Sequence, residues 1–247
     1  MSSETYPNTW RFLKGRVRDS MSRNEKSVME DLVQDVCQLG HGEKILTRGS
    51  VTQRSTFLIE GFVARVNERD GKRQIISIHV PGDFVDLHSY ALKKIDHDLM
   101  TFGTARVGYV SHVNLDVVMT REPKLARHLW FASHLDAAIH REWIAKLQSL
   151  SADGCLAHLI TEVHARLKAV AAIEHNSFAF PLTQTELAET CGTTPVHMNR
   201  VVRKLREQGL ADISRKKITI LDAEGLAALA QFDMGYLYQN LPEPVRA

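Results

Sequence analysis

Between Pro195 and Lys217 the chain sets seven basic residues (Arg200, Arg203, Lys204, Arg206, Arg215, Lys216, Lys217) against two acids (Glu207, Asp212), a local charge of about +5. The whole chain, with 31 Lys and Arg against 29 Asp and Glu, carries only +2. The same stretch holds residue types that read duplex DNA. Arg bonds a guanine edge in bidentate fashion, Asn does so with adenine, Val touches a thymine methyl, and Lys meets phosphate as a point charge. If Met198, Val201, Val202 and Leu205 form the apolar stripe of a helix, then Val196, His197, Asn199, Arg200, Arg203 and Lys204 fall on its outer face. The plainer alternative is a solvated charged helix in an ordinary helical domain.

The elements that would position these side chains are strongly signalled. Thr183-Gln184-Thr185-Glu186 spells a capping box, which starts a helix carrying Leu187, Ala188 and Cys191 on its apolar side. Gly192 supplies the left-handed residue that ends it. Thr194 then caps a second helix whose first residue, Pro195, has no N–H to leave unpaired. Gly209 ends that helix, and the alternation from Ile213 to Ile220 around Arg215-Lys216-Lys217 suits a hairpin whose basic tip lies along a phosphate strand. The pattern predicts a winged helix-turn-helix over 181–221, with Thr183, Gln184 and Thr194 at the helix starts joining the DNA-contacting set.

The rest of the chain bounds the reading. A length of 247 residues favours two domains, each large enough for its own core. No apolar run approaches the ~20 residues of a membrane helix, and the start lacks the apolar core of a signal peptide, so a cytoplasmic protein without membrane contact is expected. Cys37, Cys155 and Cys191 lie far apart with no CxxC pair, which points to apolar fillers rather than a zinc site or a disulfide framework. No cofactor or metal is expected. A Gly-rich phosphate loop, His-Glu-x-x-His and a nucleophile elbow are all missing, so no enzyme is expected.

Residues 43–113 alternate in β fashion, broken by the turn pairs Glu60-Gly61, Asp70-Gly71 and Pro81-Gly82. One strand each is predicted for 56–59, 62–67, 74–79 and 104–110, arranged as a meander or rolled sandwich. Before them, Ser22 and Glu25 form another capping box, for a helix carrying Val28, Met29, Leu32, Val33, Val36 and Cys37 until Gly40. A long helix is predicted from Pro123 to about Leu150, with a seam of Leu125, Leu129, Ala132, Leu135, Ile139, Ile144, Leu147 and Leu150. Such a helix wants a partner, and Trp130, Phe131 and Trp143 widen its apolar surface beyond one seam, so it is expected to pack on its own β domain on one side and a second subunit on the other; an intramolecular helical hairpin is the alternative. Ser151-Ala152-Asp153-Gly154 begins the next helix and is the expected hinge. The expected fold class is α+β: an N-terminal extension (1–22), a β-rich sensor-type domain (23–120), a central dimerisation helix (121–150) and the DNA-binding domain (151–247).

This order of parts, together with Pro81-Gly82-Asp83-Phe84, the wording from Leu182 to Ala188 and that from Thr194 to Arg200, resembles the superfamily of the cyclic-AMP receptor protein and Fnr. The likeness extends over roughly 25–222, and the helix-turn-helix wording resembles its alphaproteobacterial branch. The resemblance implies a cyclic-nucleotide-type β-roll, a parallel homodimer along the central helix, and one half of a palindromic double-stranded operator read by each subunit, with RNA polymerase as a further partner. It also marks departures. Asp86-Leu87 stands where nucleotide-binding relatives have the Gly-Glu that holds ribose, and Met100-Thr101 stands near their phosphate-holding Arg-Ser. A cyclic-nucleotide effector is therefore disfavoured, and the N-terminus lacks the clustered cysteines of Fnr-like iron–sulfur members. Pro195-Val196 replaces the usual Arg-Glu of the recognition helix, so only the Arg200 role carries over.

The resemblance further implies that an effector would meet the segment 86–98 and the central helix. Asp86, His88, His97, Thr101, His140 and Arg141 form the candidate effector set: imidazole and carboxylate can bind a divalent metal, and Arg141 can pair an anion. The alternative is a solvated loop with a locally packed histidine. Cys191, close to the recognition helix, is either a core filler or a redox switch. A helix-turn-helix that contacts protein instead of DNA, in an effector-, metal- or redox-gated regulator, is the second functional reading.

Overall fold

A computed structural model describes residues 4–173 and 175–239. Helix α1 (Arg23–Leu32) starts on the full Ser22/Glu25 capping box. The sheet that follows consists of β1 (Gln34–Leu39), β2 (Lys44–Leu46), β3 (Arg54–Arg69), β4 (Lys72–His79) and, after the short α2 (Ser89–Leu92), β5 (Asp98–Ser111). It is antiparallel in the order β1-β5-β3-β4, with β2 also on β5. Leu58, Val63, Val85, Leu99, Ala105 and Val107 fill its inner face, backed by Cys37, Leu39 and Ile45.

Two expectations for this half are corrected. The helical periodicity of Val33, Val36 and Cys37 is not used: α1 ends at Leu32, Asp35 takes φ +48°, and residues 34–39 pair with β5 instead. As a strand, the segment turns Cys37 and Leu39 toward the inner core. Glu60-Gly61 is likewise no turn but a bulge inside one 16-residue strand. Gly61 adopts φ +85°, and a Cβ there would lie 2.3 Å from the Thr104 carbonyl oxygen, so the bulge needs glycine.

Helices α3 (His112–Arg121) and α4 (Pro123–Ser149) lead to α5 (Ala152–Ala169), with only Leu150 and Ser151 between the last two. The predicted seam of α4 is divided in the structure. Leu125, Leu129, Leu135 and Ile139 are buried within the chain itself, whereas Trp130 (65% exposed), Ile144 (58%) and Leu147 (46%) face outward. The reason is that α4 serves its own core along one face and leaves the next uncovered. The N-terminal residues also join that core: Phe12 is buried edge-on against Phe57 and Phe84, and Arg16 Nε donates to the Leu237 carbonyl at 2.8 Å.

The C-terminal half holds α6 (Gln184–Thr190), α7 (Pro195–Glu207) and a three-stranded sheet of β6 (Ser177–Ala179), β8 (Lys217–Ile220) and β7 (Ala211–Ser214), in that spatial order. Helix α8 (Ala223–Ala230) and a 3-10 turn (Met234–Leu237) follow, with Leu226 and Leu237 fully buried. Among the described residues no helix is long and apolar enough to cross a membrane.

Candidate nucleic-acid interface

Helix α7 has the division of faces the sequence predicts. Met198, Val201, Val202 and Leu205 are buried, which fixes the rotation of the helix, and Val196, His197, Asn199, Arg200, Arg203 and Lys204 are exposed on the other side. Its entry is set by Thr194, whose hydroxyl accepts from the His197 amide at 3.2 Å, with Pro195 as first residue. In α6 the Thr183 hydroxyl accepts from the Glu186 amide at 3.2 Å while the Glu186 carboxylate accepts from the Thr183 amide at 2.7 Å. Gly192, at φ +63°, turns one helix into the next. Thr183 and Gln184 remain exposed at the start of α6.

The wing is a two-residue hairpin between β7 and β8. Arg215 (φ +50°) and Lys216 (φ +59°) form its turn, both left-handed, as the right-handed twist of a two-residue hairpin requires. Asn or Gly would adopt these angles with less strain. Two exposed cations sit there instead, with Lys217 exposed at the start of β8. Not every basic residue is equally free: Lys204 pairs with Asp153 at the start of α5, Arg203 with Glu207 at 3.6 Å, and Arg206 with Asp212 at 2.5 Å. Arg200, Arg215, Lys216 and Lys217 form no ion pair among the described residues, which leaves them the most available cations of the face.

Behind this face the β domain grips the helix-turn-helix. Arg73, near the β3–β4 turn, bonds Glu189 at 2.8 Å and Glu186 at 3.4 Å. Asp83, in the turn after β4, meets Arg166 of α5, whose guanidinium also bonds the Ile78 carbonyl at 2.9 Å and Glu162 at 3.0 Å. Burial alone would raise the Asp83 carboxyl, yet Arg166 and His79 hold it well below the usual carboxylate range. Glu162 additionally accepts from the Trp143 indole and the Tyr236 hydroxyl. None of these ties between the two halves is predicted from the sequence. Arg166, four residues after Glu162 within an apolar helix, was the one visible signal.

The six candidate effector residues do not converge on one pocket. Asp86 is fully buried and accepts from the Thr56 amide; burial pushes its carboxyl up to about 7 despite that bond. Thr101 is a structural tie, donating to the Gly40 carbonyl at 2.5 Å and accepting from the Glu43 amide at 3.0 Å. Arg141 is exposed on α4 and borders a hollow shared with Phe131, His134, Leu135 and Tyr238. His140 joins a junction that sequence reasoning missed: Arg65, 4% exposed, donates to the Val85 carbonyl and reaches Asp136 at 2.8 Å and His140 at 3.3 Å. Its signal was an arginine among Phe62, Val63, Ala64 and Val66. His88 and His97 lie together, ring centres 5.3 Å apart. Cys191 is buried, and burial pushes its thiol up to about 12.

Comparison with known proteins agrees with this anatomy. A Crp-like helix-turn-helix domain matches residues 156–229. The chain is 24% identical to the transcriptional activator protein FnrA of Stutzerimonas stutzeri over 85% of this chain and 86% of that protein. It is also 24% identical to the nitrogen fixation regulation protein FixK of Bradyrhizobium diazoefficiens over 76% and 79%. The structure of FixK2 from Bradyrhizobium japonicum superposes with a TM-score of 0.72 at 21% identity, covering 80% of this chain and 98% of that one. With its β domain, long central helix and a C-terminal Crp-like helix-turn-helix over 156–229, the chain has the parts of a DNA-binding transcription regulator and is similar over most of its length to regulators of the Crp/Fnr type.

Proposed function

We propose that this regulator works as a cytoplasmic homodimer that reads a palindromic operator through α7 and holds the flanking phosphates with its wing. The observation that carries the reading is the single face on which Val196, His197, Asn199 and Arg200 are all exposed, beside two cations kept at the wing tip in a left-handed turn that suits them poorly. Val196, His197, Asn199 and Arg200 would meet base edges, and Arg203, Lys216 and Lys217 phosphates. Thr183, Gln184 and Thr194, at helix starts where backbone N–H groups are free, would anchor the adjoining phosphates. Lys204 would join them on exchanging Asp153 for phosphate. Dimerisation would use the outward face of α4, with Trp130 and Ile144 meeting their counterparts. RNA polymerase would be met from the assembled complex.

A cyclic nucleotide does not suit this chain. The inner face of the sheet is already filled by Leu58, Val63, Val85, Leu99 and Val107, each 2% exposed or less, and Asp86 is engaged by Thr56. An iron–sulfur cluster does not fit either, since such clusters need four thiolates in most proteins and this chain has only Cys37, Cys155 and Cys191. Selection of bound duplexes from a random pool tests the proposal: it should return an inverted repeat with half-site centres about ten base pairs apart. Recovery of unrelated sequences would refute sequence-specific reading.

A further inference from the structure

The junction between the β domain and α4 contains chemistry that DNA reading does not use. His88 precedes α2, and His97 precedes β5. One nitrogen of each imidazole and one oxygen of Asp96 lie within 4.8 Å of one another. His97 is 4% exposed, and Nε2 of both histidines is buried without a hydrogen-bond partner. A buried nitrogen left unpaired is unfavourable, so two in one cluster need a cause.

Asp96 supplies the second observation. Its Oδ1 lies 2.7 Å from His97 Nδ1. A carboxylate that takes the Nδ1 proton leaves Nε2 with a free lone pair and fixes the ring, the usual outer-shell arrangement of a metal-ligating histidine. Burial, with Arg65 next, lowers the pKa of both rings, that of His88 to about 4, so both are neutral and able to ligate at neutral pH. Arg65, whose charge acts on both rings, is already paired with Asp136.

We propose that His88 and His97, oriented by Asp96, bind one divalent cation of the borderline class, such as zinc, cobalt or nickel, with water completing the coordination. Of the wider candidate set read from the sequence, where a divalent metal is one alternative, only these two imidazoles, with Asp96, come together. His88 also lines a small cavity with Arg65, Leu87, Ala132 and Asp136, so the cation would sit against the contact between the β domain and α4. The proposal stands independently of the operator-reading model.

Equilibrium dialysis of the full chain, stripped with chelator and then exposed to zinc, would be followed by elemental analysis. The wild type should hold one more tightly bound zinc per chain than His88→Ala or His97→Ala, with affinity at this site at least ~100-fold weaker in either variant, and Asp96→Asn should weaken it by about 10–100-fold. Cobalt(II) should give visible ligand-field bands in the wild type that His88→Ala lacks. Equal zinc content and affinity in wild type and His88→Ala, or no zinc in the wild type, would overturn the proposal. Should the histidine variants fail to fold by near-ultraviolet circular dichroism, Asp96→Asn still decides, because its side chain is largely exposed and unchanged affinity there would contradict the assigned role.

Discussion

Arg166 Nη2 lies 2.7 Å from Asp83 Oδ2, so the turn that closes β4 is tied directly to the first helix of the DNA-binding half. The two residues are 83 positions apart in the chain. Because Arg166 also bonds Glu162 and the Ile78 carbonyl, a change at this point reaches both halves.

Removing Arg166 takes the shared cation from the fully buried Glu162 and the partly buried Asp83. Arg166→Ala should therefore destabilise the protein by about 3–5 kcal/mol, read as a lower urea midpoint. A midpoint unchanged within error would show that the pair does not hold the halves together.

The recognition face gives a paired prediction. At fixed salt, Arg200→Ala should weaken binding to the selected operator by about 1–3 kcal/mol and relax specificity at one base position, whereas Lys216→Ala should weaken all duplexes alike and reduce the salt slope by about one. Fluorescence anisotropy over a salt series separates the two. The assignment fails if Arg200→Ala binds as the wild type does.

The wing should trade stability for charge. Replacing Arg215 with Asn and Lys216 with Gly together relieves two left-handed cations and should raise stability by about 1 kcal/mol or more, while operator affinity falls. Thermal melts and anisotropy on the same preparation test both halves. A gain in affinity would contradict the placement of the wing on phosphate.

Acid should weaken the fold through two buried histidines, against the opposing effect of Asp86, whose carboxyl, raised to about 7, holds its proton more tightly in the folded state over part of the same range. Burial, with Arg65 next, lowers the pKa of His79 to about 4, and burial, with Lys146 next, does the same for His158. His79 faces Arg65, Asp83 and Asp136; His158 faces Lys146, Glu142 and Glu162. In the unfolded chain both would protonate near their ordinary value of about 6.5, so the unfolded state binds more protons in between. Stability should fall as pH drops from about 6.5 toward 4, by up to roughly 1.4 kcal/mol per pH unit for each histidine. Asp83, held low, adds its own loss only below its unfolded value of about 3.9. Urea midpoints in chelator at pH 7, 6 and 5 check this, and a flat profile would contradict it.

How much of this was legible in the sequence follows from how local each signal is. The helix-turn-helix was readable almost residue by residue, because Thr183 with Glu186, Gly192, and Thr194 with Pro195 each fix a boundary through neighbours three or fewer positions away. Gly61 misled, because what demands glycine there is the approach of Thr104 from another strand. The end of α1 misled for the same reason, since pairing with β5 overrides helical spacing. Arg65 with Asp136, Arg73 with Glu189 and Asp83 with Arg166 are ties between elements distant in sequence, and a single chain shows only that charged residues sit where apolar ones would be usual. Dispersal of the candidate effector residues has the same origin: their spacing said nothing of which side of the sheet each would face.

The central claim, two protomers on one duplex, is tested most directly by sedimentation of the protein with a labelled operator at low ionic strength. The account predicts two chains per duplex for the wild type, and for Ile144→Glu, which places a charge on the outward face of α4, a monomer with sharply reduced operator affinity. A wild-type monomer that ignores every duplex offered would contradict it.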